Sequence, residues 1–172
     1  MAEDRVADIV DQWRRERPDL DPTPLLIIGR IQHLAEVLDA ALRPPFAAAG
    51  LGNGEFDMLA ALRREGEPYA LTAGQLSERM LVTTGAVTKR VDRLVTRGLV
   101  SRSISEADAR GRVVGLTPAG VALTDRLIGE HLANEAAILR GLTDSDRSAL
   151  ERLLATLART VGARAQQAGQ RL

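Results

Sequence analysis

Residues 72–118 carry local signals that admit few arrangements of the chain. Thr72 and Gln75, three apart, match the two ends of a capping box that opens a helix. Leu76 and Met80 then fall on its inward side. Thr83 or Thr84 can cap a second helix, whose apolar positions Val87, Val91, Leu94 and Val95 recur at helical spacing. The other faces of that helix carry Thr84, Thr88, Lys89, Arg90, Arg93 and Arg97. Gly98 stands where a helix end takes a left-handed residue. Two β-type runs follow, 99–104 and 113–116, around a charged segment, 106–112, that reads as a hairpin tip. Pro118 behind Thr117 suits the first position of another helix.

Helix, tight turn, basic helix and hairpin, in that order, make a winged helix-turn-helix. An α-helix fits the major groove of B-DNA, where base edges are distinguishable. Residues at and near its N-terminus reach those edges. Here they are Thr83, Thr84, Thr88 and Lys89, with the small Gly85 allowing close approach. Arg93 lies one turn further on the same basic helix. Arg110 and Arg112, at the hairpin tip, are placed to enter a narrow minor groove. Charge supports this expectation through its distribution and not its sum. Residues 79–112 hold eight Lys and Arg against three acids, while the whole chain is neutral. A basic segment in an acidic body is a footprint for phosphate. The alternative is a winged helix used for protein contacts without DNA.

The flanking segments read as helices with apolar stripes. Val6, Ile9, Val10 and Trp13 mark a short one, ended by Pro18, Pro22 and Pro24. Ile27, Ile31, Leu34, Leu38 and Leu42 mark a long one over about 23–42, which Pro44 and Pro45 end or kink. Gly50, Gly52 and Gly54 make a loop, and 55–65 is a helix with Phe56, Leu59, Ala60 and Leu62 inward. Two more helices fill the last third, one from Pro118 to about residue 140, the other after Thr143 with Leu150, Leu154, Leu157 and Val161 on one stripe. One small winged-helix domain cannot cover all these stripes, so a homodimer is expected. The fold class is mainly α with a small β-hairpin. An extra N-terminal helix occupies 1–20, dimerisation helices 23–49 and 118–172, and the winged helix-turn-helix 53–117.

Several function classes drop out. No cysteine is present, so disulfides and thiol sensing are excluded, and His33 and His131 alone make a metal site unexpected. No phosphate-binding glycine loop or nucleophile elbow appears, so neither an enzyme nor a cofactor is expected. Residues 1–11 carry four acids and one Arg, unlike a signal peptide, and no apolar run reaches the roughly 18 residues that span a bilayer. The expected location is the cytoplasm, without a membrane partner.

The sequence resembles the MarR family of multiple-antibiotic-resistance regulators over about residues 23–163. Asp108-Ala-Arg110-Gly111 followed by Leu116-Thr117-Pro118-Ala119-Gly120 is similar to the family's wing and its entry to the next helix. Arg90-Val-Asp-Arg93-Leu-Val-Thr-Arg97-Gly98-Leu99-Val100 is similar to the end of its recognition helix. The resemblance implies that Asp108 and Arg110 shape the wing, that the protein is a homodimer, and that it represses from a pseudo-palindromic operator. A narrower resemblance is to the urate-responsive branch, which has an extra N-terminal helix bearing a tryptophan. Trp13, Asp57, Arg90 and Arg102 match its effector residues, implying a planar organic anion held by two guanidinium forks. A citrate-like polycarboxylate would suit the same arginines. Arg30 and His33, one turn apart on the long helix, are further candidates to line that pocket. Each residue also has a plain structural reading: Trp13 as core, Asp57 as a helix-dipole residue, and the arginines as phosphate or carboxylate partners.

Overall fold

The computed structural model describes residues 4–52, 54–80, 84–104 and 112–169. The chain divides into two compact units, Met1–Gly129 and Glu130–Leu172.

The first unit opens with α1 (Arg5–Glu16), α2 (Leu25–Leu42) and the short α3 (Pro44–Ala48). Asp4 caps α1 by accepting the Ala7 N–H at 3.2 Å. The apolar stripe of α1 splits. Val6 and Val10 are buried, whereas Ile9 and Trp13 stay about half exposed. Pro44 and Pro45 occupy the first positions of α3 rather than merely ending α2, since a proline lacks only an N–H that is orphaned there anyway. The ring of Phe46 on α3 stacks on Phe56, with centroids 4.1 Å apart.

The central body is α4 (Glu55–Arg64), β1 (Ala70–Thr72), α5 (Ala73–Met80), α6 (Thr84–Thr96), β2 (Val100–Ile104), β3 (Arg112–Leu116) and the start of α7 (Pro118–Ile138). The expected capping box forms: the Thr72 N–H donates to Gln75 Oε1 at 2.8 Å, and the Gln75 N–H to Thr72 Oγ1 at 3.2 Å. The hairpin gains a strand the sequence did not suggest. β1 pairs antiparallel with β3, so the sheet order is β1-β3-β2, with Val114 facing Leu71 on one side and Arg102 on the other. Three residues are too short for any periodicity, so only the partner strand reveals β1. Phe56, Leu59, Ala60 and Leu62 are buried as expected, joined by Met58 and Ala61. On α6, Val87, Val91 and Leu94 are buried, but Val95 is not.

The junction into α7 explains why threonine and glycine stand where they do. Thr117 Oγ1 donates to the Gly98 carbonyl at 2.7 Å and accepts the Gly120 N–H at 3.0 Å, tying the end of α6 to the start of α7. A Cβ on Gly120 would stand 2.0 Å from the Leu99 carbonyl oxygen, so only glycine lets the two segments meet. The buried Thr124 donates to the Gly120 carbonyl one turn on.

In the second unit, α7 ends in a 3₁₀ turn (Leu139–Gly141) and α8 runs over Asp144–Gly169. Thr143 opens α8: its Oγ1 accepts the Asp146 N–H, while Asp146 accepts the Thr143 N–H. Leu150, Leu153, Leu154 and Val161 of α8 are exposed. No helix among the described residues is long and apolar enough to cross a membrane.

Candidate nucleic-acid interface

Helix α6 presents three faces. Val87, Val91 and Leu94 enter the core. A second face carries Thr88, with Gly85 and Lys89 beside it, all exposed. An added Cβ at Gly85 would meet nothing within 4 Å among the described residues. Thr84 is the first residue of α6, while Thr83, Asp108 and Arg110 lie outside the described residues. Arg112 begins β3 and is exposed.

Arg93, expected at the DNA face, is held from within. Its Nε donates to Glu55 Oε1 at 2.5 Å, and Glu55 is only 3% exposed. The Arg93 side chain as a whole is nonetheless 58% exposed. Composition gave no cue to Glu55, because an acid in the first turn of a helix reads as a solvated dipole partner.

The effector candidates occupy several places. Trp13 lines a cleft of about 250 Å³ with Leu20, Asp21, Pro22, Pro24 and Leu25. His33 lines a neighbouring cleft of about 330 Å³ between α1 and α2, with Arg5 and Gln32 on its polar side and Leu25 shared. Arg30 is engaged by Asp4 at 2.5 Å and by the Leu26 carbonyl. That guanidinium holds the Asp4 carboxyl below its ordinary range, with the Ala7 N–H adding to the effect. The Arg90 guanidinium lies against Gly54, the residue preceding α4, whose first turn carries the exposed Asp57. Arg90 and Asp57 are thus gathered at one helix end. Arg102 pairs with Asp92 at 2.6 Å and, with Thr88 and Arg112, borders a cleft of about 180 Å³ floored by Val87, Val91 and Val114. An effector candidate and two DNA candidates therefore share one cleft. Among the described residues, no group of three or more His, Asp or Glu side chains is arranged to hold a metal ion.

This order of elements, with a threonine- and lysine-bearing helix beside a basic hairpin, is matched in known proteins. The model of the MarR family matches residues 49–111. The HTH-type transcriptional regulator PecS of Dickeya dadantii (strain 3937) is 40% identical over 149 residues, covering 87% of this chain and 90% of PecS. The chain belongs to the MarR family. AbsC, a MarR family transcriptional regulator from Streptomyces coelicolor, superposes with a TM-score of 0.74 over 84% of this chain and 97% of AbsC; at 20% identity it supports the fold alone. BpsR of Bordetella bronchiseptica, whose DNA binding is regulated by 6-hydroxynicotinic acid, superposes with a TM-score of 0.65 at 25% identity, over 76% of this chain and 92% of BpsR. The protein is accordingly a MarR-family DNA-binding transcription regulator with a winged helix. Its relatives are regulators and not enzymes, which fits the absence of catalytic motifs.

Proposed function

We propose that this regulator is a homodimeric repressor, released from a pseudo-palindromic operator by a small organic anion. In this reading Thr83, Thr84, Gly85, Thr88 and Lys89 read the major groove, while Arg110 and Arg112 approach the minor groove. The observation that carries it is the exposed α6 face of Gly85, Thr88 and Lys89, bordered by the cleft that Thr88 shares with Arg102 and Arg112. The homodimer is supported by α2, where none of eighteen residues is buried although Ile27, Ile28, Leu34 and Val37 are apolar. A two-fold dimer would set two copies of α6 about one helical turn of DNA apart.

The effector reading centres on Arg90 and Asp57. An anion arriving at the start of α4 would repel the Asp57 carboxylate and draw the Arg90 guanidinium off Gly54. Arg90 belongs to the DNA-reading helix, so both ligands act on one element. BpsR shows a precedent for a small aromatic acid in a relative of this fold. Trp13 and Arg102 line other clefts in the free chain, so the reading implies that α1 and β2 close toward Arg90 when the anion binds. Urate is the first candidate, a citrate-like polycarboxylate the second.

The test is fluorescence anisotropy with duplex DNA from upstream of the protein's own gene, at fixed salt, with and without urate and then citrate. Release by urate, with a change in emission of the single tryptophan, supports the whole reading. Release by citrate alone keeps the site and changes the anion. Tight binding that neither anion loosens discards the effector assignment.

A further inference from the structure

The third face of α6 meets a loop in which every second residue is glycine. Arg90, Arg93 and Arg97 recur at helical spacing and so share a face distinct from that of Thr84 and Thr88. Each reaches a different part of segment 49–55. Arg97 donates from its two Nη atoms to the carbonyls of Ala49 and Gly50, both at 2.7 Å. Arg93 donates to Glu55, whose other carboxylate oxygen accepts the Gly52 N–H at 2.5 Å. Arg90 lies so close to Gly54 that a Cβ there would come within 2.4 Å of its Cζ. Gly50 and Gly54 both take positive φ, at 68° and 73°. A side chain at Gly54 would be strained by the positive φ and would push the Arg90 guanidinium aside.

From this geometry we infer that Glu55 is a positioning residue for DNA reading, which sets the rotation of α6 through Arg93 while Arg97 clamps the same loop. The inference rests on the DNA-binding role of the family. A helix held only by apolar contacts can roll, because those contacts have no direction. A buried carboxylate bonded both to a guanidinium and to a backbone N–H has one good geometry. Arg97 adds two directed bonds one turn away. Together they fix which side of α6 faces the groove. Rolling α6 by even part of a turn would move Thr84 and Thr88 off the base edges while leaving its cationic charge nearby. Loop and helix border an open cleft of about 600 Å³, lined by Gly52, Glu55, Arg93, Thr96 and Arg97.

The charge pattern separates positioning from direct contact. If Arg93 served mainly as a phosphate ligand, its release from Glu55 would strengthen binding to any duplex. If Glu55 positions α6, its loss weakens the chosen sequence and spares the rest, because base contacts specify while phosphate contacts are sequence-independent.

The experiment uses a duplex selected by the full-length parent protein from a random pool, and a scrambled duplex of the same length. Glu55→Gln keeps an acceptor for the Gly52 N–H and removes the charge that holds Arg93. We expect affinity for the selected duplex to fall by about tenfold, affinity for the scrambled duplex to stay within about twofold, and the salt slope of each to persist. Arg97→Met should lower the same ratio, and decides the matter if Glu55→Gln does not fold. The inference is overturned if both folded variants keep the parent's ratio of selected to scrambled binding. It is equally overturned if Glu55→Gln tightens both duplexes together. A parent that selects no sequence at all removes the DNA-reading role itself, and the inference with it.

Discussion

Helices α4 and α2 are both rich in apolar residues, yet their fates differ. Of the ten residues of α4, seven are buried, including the charged Glu55. Of the eighteen residues of α2, none is buried, although Ile27, Ile28, Ile31, Leu34 and Val37 line it. Apolarity alone therefore does not say whether a segment is covered within its own chain; in the proposed dimer α2 would be covered by a second copy. The α4 positions are filled by the sheet, α5 and α6 around it. Among the described residues α2 packs beside α1 and α3, yet Ile27, Leu34 and Val37 stay about half exposed or more, which is the pattern expected of the proposed dimer interface.

The sharpest way to break this contrast is a pair of substitutions. Leu59→Ala, in α4, removes a fully buried side chain and should destabilise the protein by about 2–5 kcal/mol. Chemical denaturation should show that loss in the chain's own stability. Leu34→Lys, in α2, replaces a half-exposed leucine. It should leave secondary structure intact while halving the mass seen by sedimentation velocity, and should make the melting temperature depend on protein concentration. A Leu34→Lys protein as large as the parent would falsify the view that α2 is an interface.

Smaller effects refine the comparison. Arg102→Ala should weaken release by urate while leaving operator affinity near that of the parent, as should Trp13→Phe. Anisotropy titrations that show full release from both variants would remove these residues from the effector site. The smallest expected effect concerns acid. The Asp4 carboxyl titrates below its ordinary value of 3.8, mainly because Arg30 donates to it. A carboxyl lowered in the folded state adds stability above its unfolded value and loses it as pH falls through the lowered one. The tie between α1 and α2 should thus persist through neutral and mildly acidic pH and loosen below 3.8. Trp13 emission in an acid titration should report this loosening, and Asp4→Asn should abolish the step.

The sequence made the caps legible because their signals are local. Thr72 with Gln75, Gly98, and Thr117 before Pro118 each specify a bond or a backbone angle within a few residues, and the structure uses all of them. Strand β1 was not legible, because Ala70, Leu71 and Thr72 become a strand only by pairing with β3, more than forty residues later. Glu55 and the arginine face were hidden for a similar reason. A single sequence shows that Arg93 is basic, but not that a buried carboxylate lies 2.5 Å away. Ile9 and Val95 sit at positions that periodicity assigns to the core, yet both are exposed, since a stripe marks a face and not its width.

Thr72 also limits how such a chain can change its length. It is the last residue of β1, paired with Val113, and its hydroxyl and N–H together close the cap of α5. Strand and helix share this residue, so no spacer separates sheet from helix-turn-helix. One residue inserted there would shift the strand register and open the cap in a single step. Insertions and deletions among homologues should therefore avoid this point and collect where neither pairing nor capping is at stake, and an engineered tag or loop graft should follow the same map.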